Sequence, residues 1–191
     1  MKVIIGLGNW GTEFDGTRHN VGFDVINALV NRHSSECKLF APDGNNAESI
    51  IYKAEKLGAV LALPIAGMNV SGRPVKSLLD ATGLAASELI LVYDDMDFEP
   101  GGIKVKHGGS HGRHNGVKSV IEHVGSSDFT RIRLGIGKPK SKEQGLEYVL
   151  GKFTTQERKA IDDAVITAMG AVEHIIEHGR DSAMNLYNRS K

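Results

Sequence analysis

The sequence contains few residues that form covalent or metal cross-links. Cys37 is the single cysteine among 191 residues. The chain therefore cannot form an internal disulfide or a zinc module that needs several cysteines. A chain without disulfides suits a reducing compartment, so we expect a cytoplasmic protein.

Long apolar runs are also lacking. A membrane-spanning helix needs about 18 or more consecutive apolar residues, and no run approaches that length. The apolar stretch at the start is too short for a signal peptide, and we expect no membrane partner. Hydrophobic residues make up 40% of the chain, enough to bury one core. Residues 1–191 are therefore expected to form a single globular α/β domain.

The sequence carries no net charge, which at first argues against a nucleic-acid partner. The charges are unevenly distributed, however. Residues 101–142 carry nine lysine and arginine residues against two acidic ones, whereas residues 1–100 carry eight against thirteen. This asymmetry predicts a face that binds a polyanion. The alternative is a solvated charged surface, which is the commoner meaning of a charge run.

The spacing of apolar residues predicts strands that alternate with helices. Strands are expected at 2–7, 89–93, 103–105 and 130–137, with a hairpin at 48–63. Helices are expected at 21–32, after Ser71, at about 117–124 and after Thr154. Alternation of this kind is typical of an α/β layer with a mostly parallel sheet.

Capping patterns refine the helix ends. Ser71 is expected to cap the second helix and Gly83 to end it. The pairs Ser141–Gln144 and Thr154–Glu157 resemble capping boxes.

Two polar motifs follow the first strand, at the edge where α/β folds bind ligands. Gly6–Gly11 formally matches a phosphate-binding GxGxxG pattern. A polar stretch separates it from the next helix, which disfavours a nucleotide-cofactor enzyme. The second motif, Thr17-Arg18-His19-Asn20, places a histidine in a wholly polar turn. His19 is a candidate functional residue, while Asn20 has the alternative role of a helix cap.

Acidic and histidine-rich segments follow later strands. Asp94-Asp95-Met96-Asp97 ends strand 89–93, where a carboxylate can orient a histidine or bind a metal. The loop 108–116 holds His111 and His114 among glycines, without a standard metal-ligand spacing, and this disfavours a metal site. Its glycines allow close approach of backbone to a phosphate; a plain flexible loop is the alternative.

Taken in this order, the motifs resemble the bacterial-type peptidyl-tRNA hydrolase family along nearly the whole chain. The matching stretches are Gly6–Gly11, Thr17–Phe23, Met68–Gly72, Asp94–Gly101, Gly108–Ser119, Arg131–Pro139 and Tyr148–Phe153. The resemblance implies one α/β globule with a twisted, mostly parallel mixed sheet flanked by helices. It also implies a monomer without cofactor or metal that cuts the ester bond between a peptide and tRNA.

The same resemblance assigns roles. His19 would be the general base, oriented by Asp94. Substrate-binding positions would be Asn9, Phe14, Asn69 and Asn115. A neutral imidazole can accept a proton from water near neutral pH, and a carboxylate on its other nitrogen fixes the tautomer. Ser110 and Cys37 have no spacing that supports a covalent nucleophile.

The basic segment would hold the tRNA phosphates, through Lys104, Lys106, Arg113, Arg131 and Arg133. The resemblance assigns a clamp on the terminal phosphate to Lys106 and Arg133.

Departures from the family pattern fall outside the catalytic positions, so they bear on the expected shape of the substrate channel more than on the chemistry. They are Trp10 for proline, Phe14 for tyrosine, Asp95 for glutamate, Ala66-Gly67 for threonine-aromatic and Arg113 for glycine. The alternative is a non-catalytic RNA-binding relative of the same fold. The joint presence of the site asparagines with His19 and Asp94 favours the enzyme.

Overall fold

The computed structural model describes residues 1–41, 48–139 and 141–188. Within them, seven strands form one sheet in the order β2-β3-β4-β1-β5-β7-β6. The strands are β1 Lys2–Gly6, β2 Cys37–Leu39, β3 Ser49–Ala54, β4 Ala59–Pro64, β5 Leu89–Asp95, β6 Ile103–His107 and β7 Thr130–Gly135.

The sheet is mixed, with its parallel part in the centre. Strands β4, β1, β5 and β7 run parallel, and β3 and β6 run antiparallel to their neighbours. Because β2 is antiparallel to β3, five of the seven described strands point in one direction. The predicted α/β fold with a mostly parallel mixed sheet is confirmed, and its antiparallel pairings lie towards the two edges.

Helices cover both faces of the sheet. They are α1 Val21–Arg32, α2 Gly72–Thr82, α3 Asn115–Val124, α4 Gly145–Leu150, α5 Thr155–His178 and α6 Arg180–Tyr187. Ile4 and Ile90 pack in a cluster with α1 and α5, whereas Val3 and Leu89 pack with α2 and α3. Successive strand residues thus enter opposite cores, which explains the continuous apolar runs of the central strands. None of the described helices is long and apolar enough to cross a membrane.

Several predicted helix ends are confirmed. Gly83 ends α2 in the left-handed conformation, with φ 66°. Thr154 and Glu157 form the predicted capping box at the start of α5. Helix α3 begins at Asn115, two residues before the prediction, because the ring of His114 accepts the Val117 N–H and caps the helix.

Two capping predictions are wrong. Ser71 occupies the predicted N-cap position of α2, but its hydroxyl donates to the Met68 carbonyl and makes no capping bond. Ser141 forms no capping box, since α4 starts only at Gly145, after Gln144, and has no side-chain cap. In both places a 3-10 turn runs into the helix. Ser71 directly follows the turn Met68–Val70 and Ser141 directly precedes the turn Lys142–Gln144, so neither serine stands before a free helix end.

An amide side chain covers the β6 edge of the sheet. Val105 N donates to Asn188 Oδ1 at 2.8 Å, and Asn188 Nδ2 donates to Val105 O at 2.8 Å. Both outward backbone groups of Val105 are therefore paired, as a neighbouring strand would pair them. Asn188 follows α6, a helix that the sequence patterns did not predict.

Candidate active site

Asn9 follows β1 and is fixed by a second asparagine. Asn20 Oδ1 accepts the Asn9 N–H at 2.8 Å, and Asn20 Nδ2 donates to Asn9 O at 3.0 Å. Asn20 therefore makes no side-chain cap for α1; it clamps the backbone of Asn9. The Asn9 side-chain oxygen accepts the Met68 N–H at 2.8 Å. Its Nδ2 is the group that is left to donate to a ligand.

His19 and Asp94 form a buried pair at the carboxyl ends of the strands. His19 Nδ1 lies 2.7 Å from Asp94 Oδ1, and the Asp94 side chain is only 2% exposed. Gly22 permits this approach of the His19 turn to β5. A Cβ at Gly22 would lie 2.4 Å from Leu7 O and 2.5 Å from Val92 O, so a larger residue would push α1 away from both strands.

Arg18 holds the His19 turn against the C-terminal half of the chain. Its Nη1 donates to Ile136 O at 3.1 Å, and its Nη2 contacts Glu157 Oε2 at 2.8 Å. The guanidinium stacks 4.3 Å from the centre of the Tyr148 ring. With only 6% of Arg18 exposed, these contacts indicate a structural role.

His114 joins the pair and was missed as a site residue in the sequence analysis. Its Nε2 lies 2.9 Å from the same Asp94 oxygen, and its ring centre is 5.0 Å from that of His19. Because Nδ1 of His114 accepts the Val117 N–H, its Nε2 carries the proton and donates to Asp94. Its place directly before a helix is the sequence signal for this role, whereas its spacing from His111 bears only on a metal site.

Asp94 is held in its ionised form. Burial alone would raise the pKa of this carboxyl, but the charges of His19 and His114 and the hydrogen bonds from both rings hold the pKa well below its ordinary value. An ionised Asp94 accepts the Nδ1–H of His19. The lone pair of His19 Nε2 is then available as a base.

The three residues also meet the distance criterion for a metal site, since their donor atoms lie within 4.8 Å of one another. A metal would need a deprotonated Nε2 on His114. The hydrogen bond that His114 Nδ1 accepts from Val117 requires the opposite tautomer. The donor set therefore fits a hydrogen-bond network better than a metal centre.

A cleft of about 250 Å³ opens beside this network. It is lined by His19, Asp94, Lys106, Asn115 and Arg133, among others. Asn115 is the first residue of α3 and is exposed. The structure thus joins the predicted base, its orienting carboxylate and one predicted substrate residue in one cleft.

The other predicted substrate residues lie outside the cleft lining. Asn69 is exposed in the 3-10 turn Met68–Val70, next to the residue that binds Asn9. Phe14 is half-buried in the turn Thr12–Phe14 and does not line the cleft. Trp10, a departure from the family pattern, is 45% exposed beside Asn9.

A cationic face lies on β6 and β7. The strand register sets Lys104 opposite Arg133 and Lys106 opposite Arg131. Like charges directly opposite each other destabilise a sheet, so this arrangement favours a role in binding an anion. Lys104 and Lys106 are exposed, and neither forms an ion pair with any described residue.

The two arginines of this face differ. Arg133 pairs with Asp95 and stacks 5.0 Å from the centre of the Phe98 ring. Arg131 is 2% exposed, and its Nη1 and Nη2 donate to Ser110 O and Gly109 O, each at 2.6 Å. This geometry favours a role for Arg131 in anchoring the glycine-rich loop rather than in contacting phosphate.

Arg113 extends from that loop to the mouth of the cleft. It is the one described non-glycine residue with positive φ, at 65°. This conformation costs an L-residue about 1–2 kcal/mol. The side chain is 78% exposed, with Nη2 4.0 Å from Asp97 Oδ1.

The fold and site define an α/β protein with a hydrolase-type His–Asp pair beside a cationic face. A family model described as peptidyl-tRNA hydrolase matches residues 3–191. A Geobacillus kaustophilus peptidyl-tRNA hydrolase is 42% identical over 188 residues, covering 98% of this chain and 100% of the relative. An Aquifex aeolicus peptidyl-tRNA hydrolase is 39% identical over 193 residues, covering 99% and 97%. The chain belongs to the peptidyl-tRNA hydrolase family.

The solved structures agree with this assignment. The crystal structure of peptidyl-tRNA hydrolase from Acinetobacter baumannii superposes with a TM-score of 0.91 at 34% identity, covering 100% of this chain and 96% of that one. The resemblance drawn from the sequence motifs is confirmed.

Proposed function

We propose that this chain hydrolyses the ester bond of peptidyl-tRNA, with His19 as the general base that activates water. The hydrogen bond of 2.7 Å between His19 Nδ1 and Asp94 carries the proposal. It directs the Nδ1 proton to the carboxylate and leaves Nε2 unprotonated beside the cleft. Membership of the family supports the choice of substrate.

In the proposed reaction, His19 Nε2 takes a proton from water as the oxygen attacks the ester carbonyl. The ionised Asp94 stabilises the imidazolium that forms. When the tetrahedral intermediate collapses, the proton passes to the departing ribose oxygen. The amides of Asn115 and Asn9 supply donors for the carbonyl oxygen, whose negative charge grows during attack.

The strand order supports one orientation of the substrate. Asp94 is the last residue but one of β5, which has β7 and β6 on one side and β1 and β4 on the other. Lys106 and Arg133 belong to the first side, and Asn9 and Asn69 follow strands of the second. We therefore infer that the tRNA phosphates lie over β6 and β7 and the peptide extends towards Asn69.

A turnover assay on purified peptidyl-tRNA tests the proposal. Release of free tRNA and peptide is expected, and exhaustive chelation should leave the rate unchanged because no proposed step uses a metal. Binding of tRNA without turnover would instead identify a non-catalytic RNA-binding relative. The monomeric state and the cytoplasmic location stay predictions; light scattering of the purified protein checks the first.

A further inference from the structure

Asp97 is an acidic residue among the cations of the cleft. It lies in the turn after β5, and its side chain is 49% exposed. Asp97 Oδ1 is 4.0 Å from Arg113 Nη2 and 3.9 Å from Lys138 Nζ. Its Oδ2 is 3.9 Å from Arg133 Nη2. The three cations come from the glycine-rich loop, from β7 and from the segment after β7.

The position of Asp97 is fixed, but its ion pairs are loose. The Asp97 N–H donates to Asp95 Oδ1 at 2.7 Å, which anchors the backbone of the turn. The three cations approach at 3.9–4.0 Å, beyond hydrogen-bond length. Exposed pairs of this kind add little to stability. Stabilising the fold is therefore a weak explanation for a carboxylate at this place.

A carboxylate here opposes the binding of phosphate. A phosphate oxygen that approaches Arg113, Arg133 or Lys138 is repelled by the Asp97 carboxylate. To bind, it must displace that carboxylate from the cation. We propose that Asp97 limits the affinity for tRNA by competing with its phosphates for these three cations. This inference rests on the proposed function.

The competition has a kinetic use. Affinity that is the same for substrate and transition state does not speed the chemical step. The product tRNA retains the phosphates that the substrate used, so strong phosphate contacts would slow its release. By competing with the phosphates, Asp97 speeds release of the product tRNA and leaves His19 and Asp94 unaffected.

The experiment compares Asp97→Asn with wild type by titration of deacylated tRNA at several salt concentrations. We expect roughly two- to fivefold tighter binding at low salt. The salt dependence should steepen by a slope of up to about 0.7–0.9 for each cation that is freed for phosphate. Turnover of a minimal ester substrate without the tRNA body should not change. Asp163→Asn, on the exposed face of α5, is the matched control for net charge and should leave binding unchanged.

A second background locates the effect. In an Arg113→Gln, Lys138→Gln variant, two of the three cations are missing. Adding Asp97→Asn to that variant should therefore lose most of the gain in tRNA affinity that it gives in wild type. Asp97→Ser serves as a second test variant if thermal melting shows that the asparagine variant is unfolded. Weaker or unchanged tRNA binding in the folded Asp97 variants, or an equal gain in Asp163→Asn, would overturn the inference. A wild-type protein that neither binds nor hydrolyses peptidyl-tRNA would instead contradict the proposed function.

Discussion

The side chains of His19, Asp94 and His114 are almost fully enclosed. Three hydrogen bonds of 2.7–3.3 Å hold them in place. Lys104 and Lys106, two strands away, are exposed, and neither forms an ion pair with any described residue. The first region fixes one geometry, as proton transfer requires. The second supplies charge in a form that adapts to a flexible polyanion. Changes in the first region should therefore alter turnover, and changes in the second should alter affinity.

The largest effect is expected for His19→Ala. Loss of the general base should reduce kcat by about 10²–10⁴-fold, with little change in tRNA affinity. Turnover of peptidyl-tRNA, measured beside tRNA binding and thermal melting, checks this. A folded variant with normal turnover would show that another group activates the water.

Asp94→Asn should come next, with a fall in kcat of about 10²-fold, because an amide no longer stabilises the imidazolium of His19. The effect on KM should be small. A change confined to KM would mean that Asp94 contacts substrate instead of orienting the base.

The same variant should alter the pH dependence of stability. The pKa of Asp94 is lowered in the folded chain, so its contribution to the free energy of unfolding is complete above about pH 4, the ordinary aspartate pKa. This contribution is lost as the pH falls through the lower folded pKa. Chemical denaturation at several pH values should show wild type losing stability below about pH 4 by more than Asp94→Asn does.

Lys106→Ala and Arg133→Ala should give smaller effects of another kind. Each should weaken tRNA binding roughly three- to tenfold and flatten its salt dependence by a slope of about 0.7–0.9. Different tRNAs should be affected alike, because phosphates carry no sequence information. A minimal ester substrate should react at the wild-type rate. Equal losses on both substrates would point to damage to the catalytic network instead.

The smallest effect is expected for Arg113→Gly, which relieves the left-handed strain at φ 65°. The folded state gains about 1–2 kcal/mol, but glycine adds entropy to the unfolded chain. The net gain in unfolding free energy should be up to about 1 kcal/mol, measured by chemical denaturation. Affinity for tRNA should fall slightly in the same variant. A stabilised variant with unchanged affinity would show that Arg113 does not contribute to tRNA binding.

The sequence patterns predicted the fold well because the central strands and the long helices have strong periodicity. They also pointed to His19, whose polar turn follows a strand, and to Asp94, near the end of another, and the structure brings these two side chains within 2.7 Å of each other. Other contacts depend on tertiary approach. Asn20 bonds to a backbone eleven residues away, and His114 reaches Asp94 only because α3 starts beside it.

Arg131 and Arg133 illustrate the limit of charge counting. Both contribute equally to the basic segment 101–142, and their alternation with Ile132 places them on one face of a strand. They differ in burial, because Arg131 is enclosed and donates to loop carbonyls. The spacing of residues in the sequence does not predict how deeply a side chain is buried. The distribution of charge along the sequence therefore predicted a cationic face but not which of its cations are free to bind.

The contact of Asn188 with Val105 bears on self-association. An uncovered edge strand offers its N–H and C=O groups to a strand from another molecule, the usual first step towards aggregation. Here a single amide occupies both outward groups of Val105, the middle residue of the edge strand that carries the lysines. A chain shortened before Asn188 should therefore expose that edge and become prone to pairing with a second copy of itself.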